Sequence, residues 1–146
     1  MHRFTSLRFL FRLVAIVEAI YALIGLLTPP DSVLTVTGWV LSPDGQWVAK
    51  LLSVALASQA WVAWTLRDQP HLGVAKALAF YQVGSATADW VMWLTLAHQD
   101  VFSTATARFG VLASIPTHYT IGLLLVLAIR AASQTRTAHV PVVARG

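Results

Sequence analysis

The sequence predicts an all-α integral membrane protein, a four-helix bundle with both termini on the cytoplasmic side. The first observation is composition: the 146 residues are 57% hydrophobic and 11% charged, against roughly 25% charged in an ordinary soluble domain. A chain this small could not cover so much apolar surface in water, because small domains have a large surface relative to their volume. The other two observations are four long apolar runs and a one-sided distribution of basic residues.

The four apolar runs are each long enough for a helix to cross a hydrocarbon core of roughly 30 Å, which takes about 20 residues. The predicted spans are residues 9–27, 48–66, 74–97 and 110–129. Helix-ending signals follow them. Pro29 and Pro30 follow the first span, Pro70 follows the second, His98 the third and Arg130 the fourth.

Two longer segments connect the spans on the outer side. Residues 29–47 contain an apolar run that is too short to span, so we expect it to lie along the interface or fold back over the bundle; Asp44 is a candidate cap for the next helix. Residues 99–109 are rich in Ser, Thr and Ala, which favours a helical lead-in. The sequence therefore predicts one domain over residues 1–133, with a polar cytoplasmic tail at 134–146.

The basic residues predict the orientation. Of ten Lys and Arg residues, only Lys50 and Arg108 fall on the outer side. The other eight flank the spans on the inner side, so the positive-inside rule places both termini in the cytoplasm. The first span has a basic start, like a signal peptide, but Glu18 lies within it and no good cleavage site follows. We therefore predict a retained helix.

Four polar residues lie at a shared depth in the predicted spans. Counted from the outer ends, Glu18, Gln59, Asp89 and His118 fall within roughly 5 Å of one another in depth at 1.5 Å of rise per residue. Carboxylates at mid-membrane cost roughly 2.5–3.5 kcal/mol each on insertion scales, so they should face the interior. These four residues are the candidate site for a ligand or a proton.

The chemistry of this layer leaves two interpretations open. Glu18, Asp89 and His118 are suitable ligands for a divalent metal and could also relay protons. The same side chains could instead lock the helices together by hydrogen bonds, at roughly 0.6–2 kcal/mol per contact. No His and Glu pair has the spacing of a metal motif within one helix. The sequence identifies no particular cofactor.

The chain is rich in tryptophan, with six residues. Trp90 and Trp93 lie next to and one turn from Asp89, which makes them candidate site residues. With Trp61 and Tyr81 they could line a cavity for a flat apolar molecule such as a quinone, a carotenoid or a sterol-like lipid. Packing or contact with lipid explains the same residues.

The end of the first span, residues 21–29 (Tyr-Ala-Leu-Ile-Gly-Leu-Leu-Thr-Pro), is followed by an apolar outer loop containing Gly38 and by spans joined through tight loops. In this layout the chain resembles the small, four-helix DoxX-like bacterial membrane proteins. The resemblance covers most of the chain at the level of pattern. It implies a multi-pass protein of the bacterial inner membrane and no catalytic residues.

Two classes of function follow. The first is a non-enzymatic accessory or structural subunit of a larger membrane complex, such as an energy-transducing one, with other membrane subunits or further copies of the chain as partners beside membrane lipid. The second is a stand-alone bundle that binds a small apolar ligand or a metal at the polar layer, as an enzyme or a proton-coupled transporter. Nucleic acid is excluded as a partner, because the basic residues flank apolar runs and form no single patch. The absence of cysteine excludes thiolate chemistry.

Overall fold

The computed structural model describes residues 6–138, and in that range every regular element is a helix and no strand is present. The α-helices are α1 (Leu7–Leu27), α2 (Val33–Thr37), α3 (Pro43–Thr65), α4 (Leu72–Leu96) and α5 (Ala105–Ala138). Two 3-10 turns, Pro30–Ser32 and Asp100–Phe102, precede α2 and α5. The all-α prediction is therefore confirmed.

The long helices begin earlier than the apolar runs, because their first turns are polar. Ser42 caps α3 by accepting a hydrogen bond from the Gly45 amide at 3.2 Å, and Pro43 takes the first helical position. The prediction of Asp44 as the cap is therefore wrong, since Asp44 lies inside the first turn. The helix α5 includes residues 134–138, the beginning of the predicted tail; residues 139–146 lie outside the described range.

The four long helices pack as two pairs. The helix α1 packs along α3, α4 packs along α5, and the pairs meet mainly where α1 touches α5. The consecutive helices α3 and α4 are not packed closely against each other. We call the end where α1 and α4 begin the basal end, and the opposite end, where α3 and α5 begin, the apical end.

Apolar side chains form two clusters, one toward each end. The basal cluster combines residues of all four long helices: Leu10, Phe11, Val14, Ala15, Ala63, Ala75, Leu78, Ala79, Ile121, Leu125 and Ala128. The apical cluster is smaller and is centred on Phe102, against which Trp39 and Trp93 pack. Three buried polar side chains lie next to the basal cluster, on its apical side: Glu18 on α1, Gln82 on α4 and His118 on α5.

The apical end of the α1–α3 pair is held by a lysine. Lys50 Nζ donates to the carbonyl oxygens of Gly25, Leu26 and Thr28, at 2.7, 3.0 and 2.5 Å. These oxygens are at the end of α1, where a helix lacks internal donors and its dipole is negative. A Cβ on Gly25 would lie 1.9 Å from Ser53 Oγ, so glycine is required for this close approach.

The outer loop folds back onto the start of α5. Gly38 ends α2 with a positive φ of 76°, which favours glycine. Its carbonyl accepts a hydrogen bond from Thr104 Oγ1 at 2.5 Å. Trp39 then stacks edge-on against Phe102 at a centroid distance of 5.3 Å. The outer loop therefore folds back over the helices, which is one of the two arrangements expected from the sequence.

Large apolar side chains cover the outward faces of the helices. Phe80 is 82% exposed and Leu27 is 74% exposed, and many leucine, valine and tryptophan side chains are similarly open. Among the described residues, two helical segments are long and apolar enough to cross a membrane by length and composition: Leu7–Leu27 and Ala105–Gln134. The other two long helices carry more polar residues, including Lys50 and Gln59 in α3 and Asp89 in α4.

Candidate functional site

A chain of buried polar side chains connects three helices. Gln82 Nε2 on α4 donates to Glu18 Oε1 on α1 at 2.6 Å, and His118 Nδ1 on α5 lies 2.5 Å from Gln82 Oε1. The glutamine oxygen can only accept, so the proton of that second bond belongs to His118 Nδ1. Exposure is 1% for Glu18, 0% for Gln82 and 7% for His118. Water is therefore almost entirely excluded from these groups.

The packing faces of the helices place these side chains. Along α1, Phe11, Val14 and Glu18 follow one another at helical spacing and all are buried. Along α4, alanines at 75, 79 and 86 lie on the face that also carries Gln82. Their small size lets the neighbouring helices come close enough for a short amide side chain to bridge them.

Gly122 sets the distance between α4 and α5 at the same level. A Cβ built there would lie 2.8 Å from Val83 Cγ2 and 3.5 Å from Gln82 Cβ. Gly122 is one turn after His118, so the close approach that glycine permits brings the imidazole within reach of Gln82. The residue acts through spacing and makes no polar contact itself.

Two tyrosines flank the imidazole. The Tyr21 ring of α1 and the Tyr81 ring of α4 each lie 6.4 Å from the His118 ring, the first stacked at 27° and the second edge-on at 87°. Their aromatic faces shield the histidine from the exterior. Tyr21 is 43% exposed and Tyr81 is half-buried, so a single tyrosine side chain on each side separates the imidazole from the exterior.

Among the described residues, one buried side-chain oxygen has no hydrogen-bond partner. Within the part of the protein that the structure describes, Glu18 Oε2 is buried and makes no hydrogen bond. An ionised carboxylate would leave this oxygen uncompensated, and a protonated one would leave a donor without an acceptor. The group can therefore hold or release a proton, or pair with a small polar molecule that supplies the missing contact.

Asp89 does not join this chain. It is half-buried on α4, and its Oδ2 accepts a hydrogen bond from Ser114 Oγ of α5. The hydroxyl of Ser114 also lies 2.9 Å from the Val111 carbonyl. The prediction that Glu18 and Asp89 share one depth is wrong, because Gln82 is the residue of α4 at the level of Glu18 and Asp89 lies two turns beyond it.

The remaining candidates from the sequence lie elsewhere. Gln59 is half-buried at a groove between α3 and α4. Trp90 is 41% exposed, and Trp93 packs on Phe102 in the apical cluster with ring centroids 5.9 Å apart. The residue that sequence reasoning missed is Gln82. The sequence feature that could have identified Gln82 is its position on the face of α4 that carries the regularly spaced alanines.

The three candidate metal ligands are not assembled into a site. Over residues 6–138, apart from the few side chains whose burial is not described, no group of three His, Asp or Glu side chains is placed to hold a metal ion. Glu18 and His118 are connected only through Gln82, and Asp89 pairs with Ser114. The geometry favours hydrogen bonding and proton exchange over metal coordination.

Known proteins give no guide to the chemistry of this chain. Comparisons of the chain with protein families, with curated proteins and with solved structures found no match. The resemblance to DoxX-like proteins therefore stays a prediction, and the function has to be argued from the geometry.

A group of charged side chains lies at the basal end, between α1 and the turn after α3. Asp68, in the turn after α3, accepts a hydrogen bond from Arg12 Nη2 at 2.7 Å, and Arg67 Nε lies 3.6 Å from its other oxygen. The Arg12 hydrogen bond, with the charges of Arg67 and Arg8, holds the pKa of the Asp68 carboxyl below its usual range. This ion pair ties the start of α1 to the α3–α4 turn.

Proposed function

We propose that this chain is a multi-pass protein of the bacterial inner membrane whose four long helices cross the bilayer. The shortest of them, α1, has 21 residues, enough for a hydrocarbon core of roughly 30 Å. The outward faces carry large apolar side chains, as lipid contact requires. Helix order brings Arg8, Arg12 and Arg67 to the basal end, and under the positive-inside rule this supports a cytoplasmic location for that end and both termini.

We further propose that the chain is a non-enzymatic subunit of a larger membrane complex. The observation that carries this function is the open seam between α3 and α4. The two helices follow one another in the chain but do not pack closely, and a groove of about 400 Å³ lies between them. Ser58 and Gln59 line it from α3, and Ala77 and Tyr81 line it from α4.

Gln59 contributes a side-chain amide to the lining of the seam. Within the described residues its amide makes no hydrogen bond, although it lies inside α3, about 9 Å before the basal end of the helix. An amide in hydrocarbon costs free energy unless it finds a partner, and such contacts between helices contribute roughly 0.6–2 kcal/mol each. A transmembrane helix of another subunit, carrying a polar side chain, would satisfy Gln59 and close the seam.

Gentle detergent extraction from native membranes, followed by mass spectrometry of all co-migrating proteins, tests this function. We expect a stoichiometric membrane partner, and we expect Ala77→Leu, which fills the seam, to remove it. The matched control is Ala88→Leu, an exposed alanine on another face of α4, which should retain the partner. A chain that migrates alone, or a partner that both variants retain, would contradict the proposal; a second copy as the occupant would make the complex a homo-oligomer.

A second function is favoured by the unpartnered Glu18 Oε2. The bundle would bind a small ligand or exchange a proton at the Glu18–Gln82–His118 chain, as a transporter or an enzyme would require. Proton flux into vesicles, or a small molecule that co-purifies, measures this directly. Glu18→Gln should abolish the signal and Asp89→Asn should leave it intact, because Asp89 lies outside the chain. Equal loss in both variants would contradict this assignment.

A further inference from the structure

A second groove lies on the outside of the α1–α3 pair, and we call it the alanine groove. It has a volume of about 400 Å³ and an apolar lining. Its floor is made of small side chains from both helices: Ala15, Ala19, Ala22, Ala57 and Ala60. Trp61 and Trp64 form its wall on the α3 side. The alanines leave a channel because small side chains lie along the same line on both helices.

Positive charge gathers at the basal mouth of the alanine groove. Ile16 lines the groove, and Arg12 lies one turn before it on the same face of α1. On α3, the Arg67 guanidinium lies 4.2 Å above the Trp64 ring. With Arg8, three guanidinium groups surround the single carboxylate of Asp68, which leaves two positive charges in excess.

The part of the groove that both helices line lies toward the basal end. The lining of α3 runs from Ala57 to Trp64, about 11 Å at 1.5 Å per residue, and Trp64 is next to the basal end of α3. The lining of α1 starts at Ala15 and continues to Leu26, at the apical end of that helix. An acyl chain of one leaflet, which reaches through half of a hydrocarbon core of roughly 30 Å, would therefore cover the basal part of the groove in the proposed topology.

We propose that the alanine groove binds one anionic phospholipid of the cytoplasmic leaflet. One acyl chain lies on the alanine floor against Trp61 and Trp64, and the phosphate lies among Arg8, Arg12 and Arg67. This inference rests on the proposed membrane topology. Arginines at the mouth select an anionic headgroup over a zwitterionic one, and guanidinium groups bind phosphate oxygens in a planar, two-point geometry.

The shape of the alanine groove favours a lipid acyl chain over a second helix as its occupant. The helices α1 and α3 approach so closely at Gly25 and Ser53 that the groove narrows toward its apical end. A thin acyl chain fits a channel that closes in this way. The α3–α4 seam differs in that Ser58, Gln59 and Tyr81 add polar groups to its lining, whereas the alanine groove is lined by alanine, leucine, isoleucine and tryptophan.

Tryptophan quenching in reconstituted vesicles tests the proposal. The probes are phosphatidylglycerol and phosphatidylcholine with brominated acyl chains, each added in turn to vesicles of unlabelled phosphatidylcholine. We expect brominated phosphatidylglycerol to quench more strongly at equal content. The excess should disappear in the double variant Trp61→Phe/Trp64→Phe and remain in Trp90→Phe, because Trp90 lies on α4 away from the groove.

Variants of the groove and its mouth separate the two parts of the site. Arg67→Gln should weaken the preference for phosphatidylglycerol about fivefold, the effect of roughly one surface charge. Its matched control is Arg130→Gln, which removes an exposed arginine from the same end of α5 and should leave the preference unchanged. Ala19→Leu fills the floor and should abolish the excess quenching, whereas Ala88→Leu should not.

The outcomes distinguish this inference from the topology on which it rests. Equal quenching by both lipids, or an excess that survives Ala19→Leu, would overturn the lipid site and leave the membrane topology intact. Absence of quenching by either lipid, for Trp90 as well as Trp61, would overturn the topology and the lipid site together. Protection of Trp61 by a co-purified protein helix would replace the lipid with that helix and contradict the proposal.

Discussion

Glu18 and Asp89 are two carboxyl groups within the long helices, and the structure gives them different surroundings. Glu18 is 1% exposed and belongs to a chain of side chains that crosses from α1 through α4 to α5. Asp89 is half-buried and binds Ser114, on a helix that already packs along its own. Asp89 lies two turns after Gln82 on the same face of α4, about 10 Å further along the helix at 1.5 Å per residue. The role of each carboxyl group therefore depends on its level along the helices.

The difference lies in what each hydrogen bond holds together. The Glu18–Gln82 bond connects α1 and α4, which belong to different helix pairs, so it adds a link that apolar packing alone supplies weakly. The Asp89–Ser114 bond lies within the α4–α5 pair. We therefore expect changes around Glu18 to destabilise the fold and changes at Asp89 to be tolerated.

Gln82→Leu should have the largest effect. The change leaves Glu18 Oε1 and His118 Nδ1 without partners in a buried site, which costs about 2–4 kcal/mol for the two groups together. The free energy of unfolding, measured by denaturant titration in detergent micelles, checks this. Gln59→Leu is the matched control, since Gln59 makes no hydrogen bond among the described residues; its unfolding free energy should be unchanged or higher. Equal losses would remove the distinction between the two glutamines.

Gly122→Leu should follow in size. Its side chain would meet Val83 and Gln82, so α5 must move away from α4 and stretch the His118–Gln82 contact, at a cost of about 1–3 kcal/mol. Gly84→Leu is the control, because a Cβ at Gly84 meets nothing within 4 Å. Thermal unfolding of the purified protein should show a clear loss for the first variant only, and a loss of the same size in both would mean that glycine itself is needed in α4 and α5 for another reason.

Asp89→Asn should change little. The amide oxygen still accepts from Ser114, so we expect a change of less than about 1 kcal/mol in the free energy of unfolding. Ser114→Ala gives a second measurement on the same bond. Should Asp89→Asn cost as much as Gln82→Leu under the same titration, the contrast between the two carboxyl groups would be wrong.

The basal ion pair should give the smallest effect and a defined dependence on pH. The folded state holds the pKa of Asp68 below its usual range, so its contribution to stability is present above the ordinary carboxyl pKa. That contribution is lost as the pH falls through the folded-state pKa. The unfolding midpoint should therefore decline in acid for the native chain and decline less for Asp68→Asn. Parallel pH profiles would show that the pair contributes nothing measurable, as many exposed pairs do.

The sequence could predict the helices but not the depth of every polar group. Apolar runs between Pro, Gly and charged residues fix the approximate ends of each helix. Counting from the predicted span end put Asp89 level with Glu18, whereas the residue of α4 that meets Glu18 is Gln82, two turns earlier. Ser42 was missed as a cap because Asp44 is an equally good capping residue by type. The choice depends on which of them has the extended backbone at the entry to α3.

The partners of the polar groups could not be predicted in the same way. Gln59 and Gln82 are both single amides within apolar spans, and depth alone favoured Gln59. What separates them is the rotation of each helix about its axis. Gln82 lies on the face of α4 that packs on α5, and Gln59 lies on the face of α3 that meets the open seam. The alanines at 75, 79 and 86 mark that packing face, and they were the available signal.

Lys50 has a consequence for how the protein is made. The last carbonyls of α1 accept hydrogen bonds from a side chain that the ribosome adds more than twenty residues later. Until α3 has been synthesised, the exit end of α1 has three oxygens without these donors. We therefore expect α1 to be completed as a hairpin with α3 during biogenesis, and a nascent chain that stops before Lys50 to be captured by quality control more readily than one that includes it.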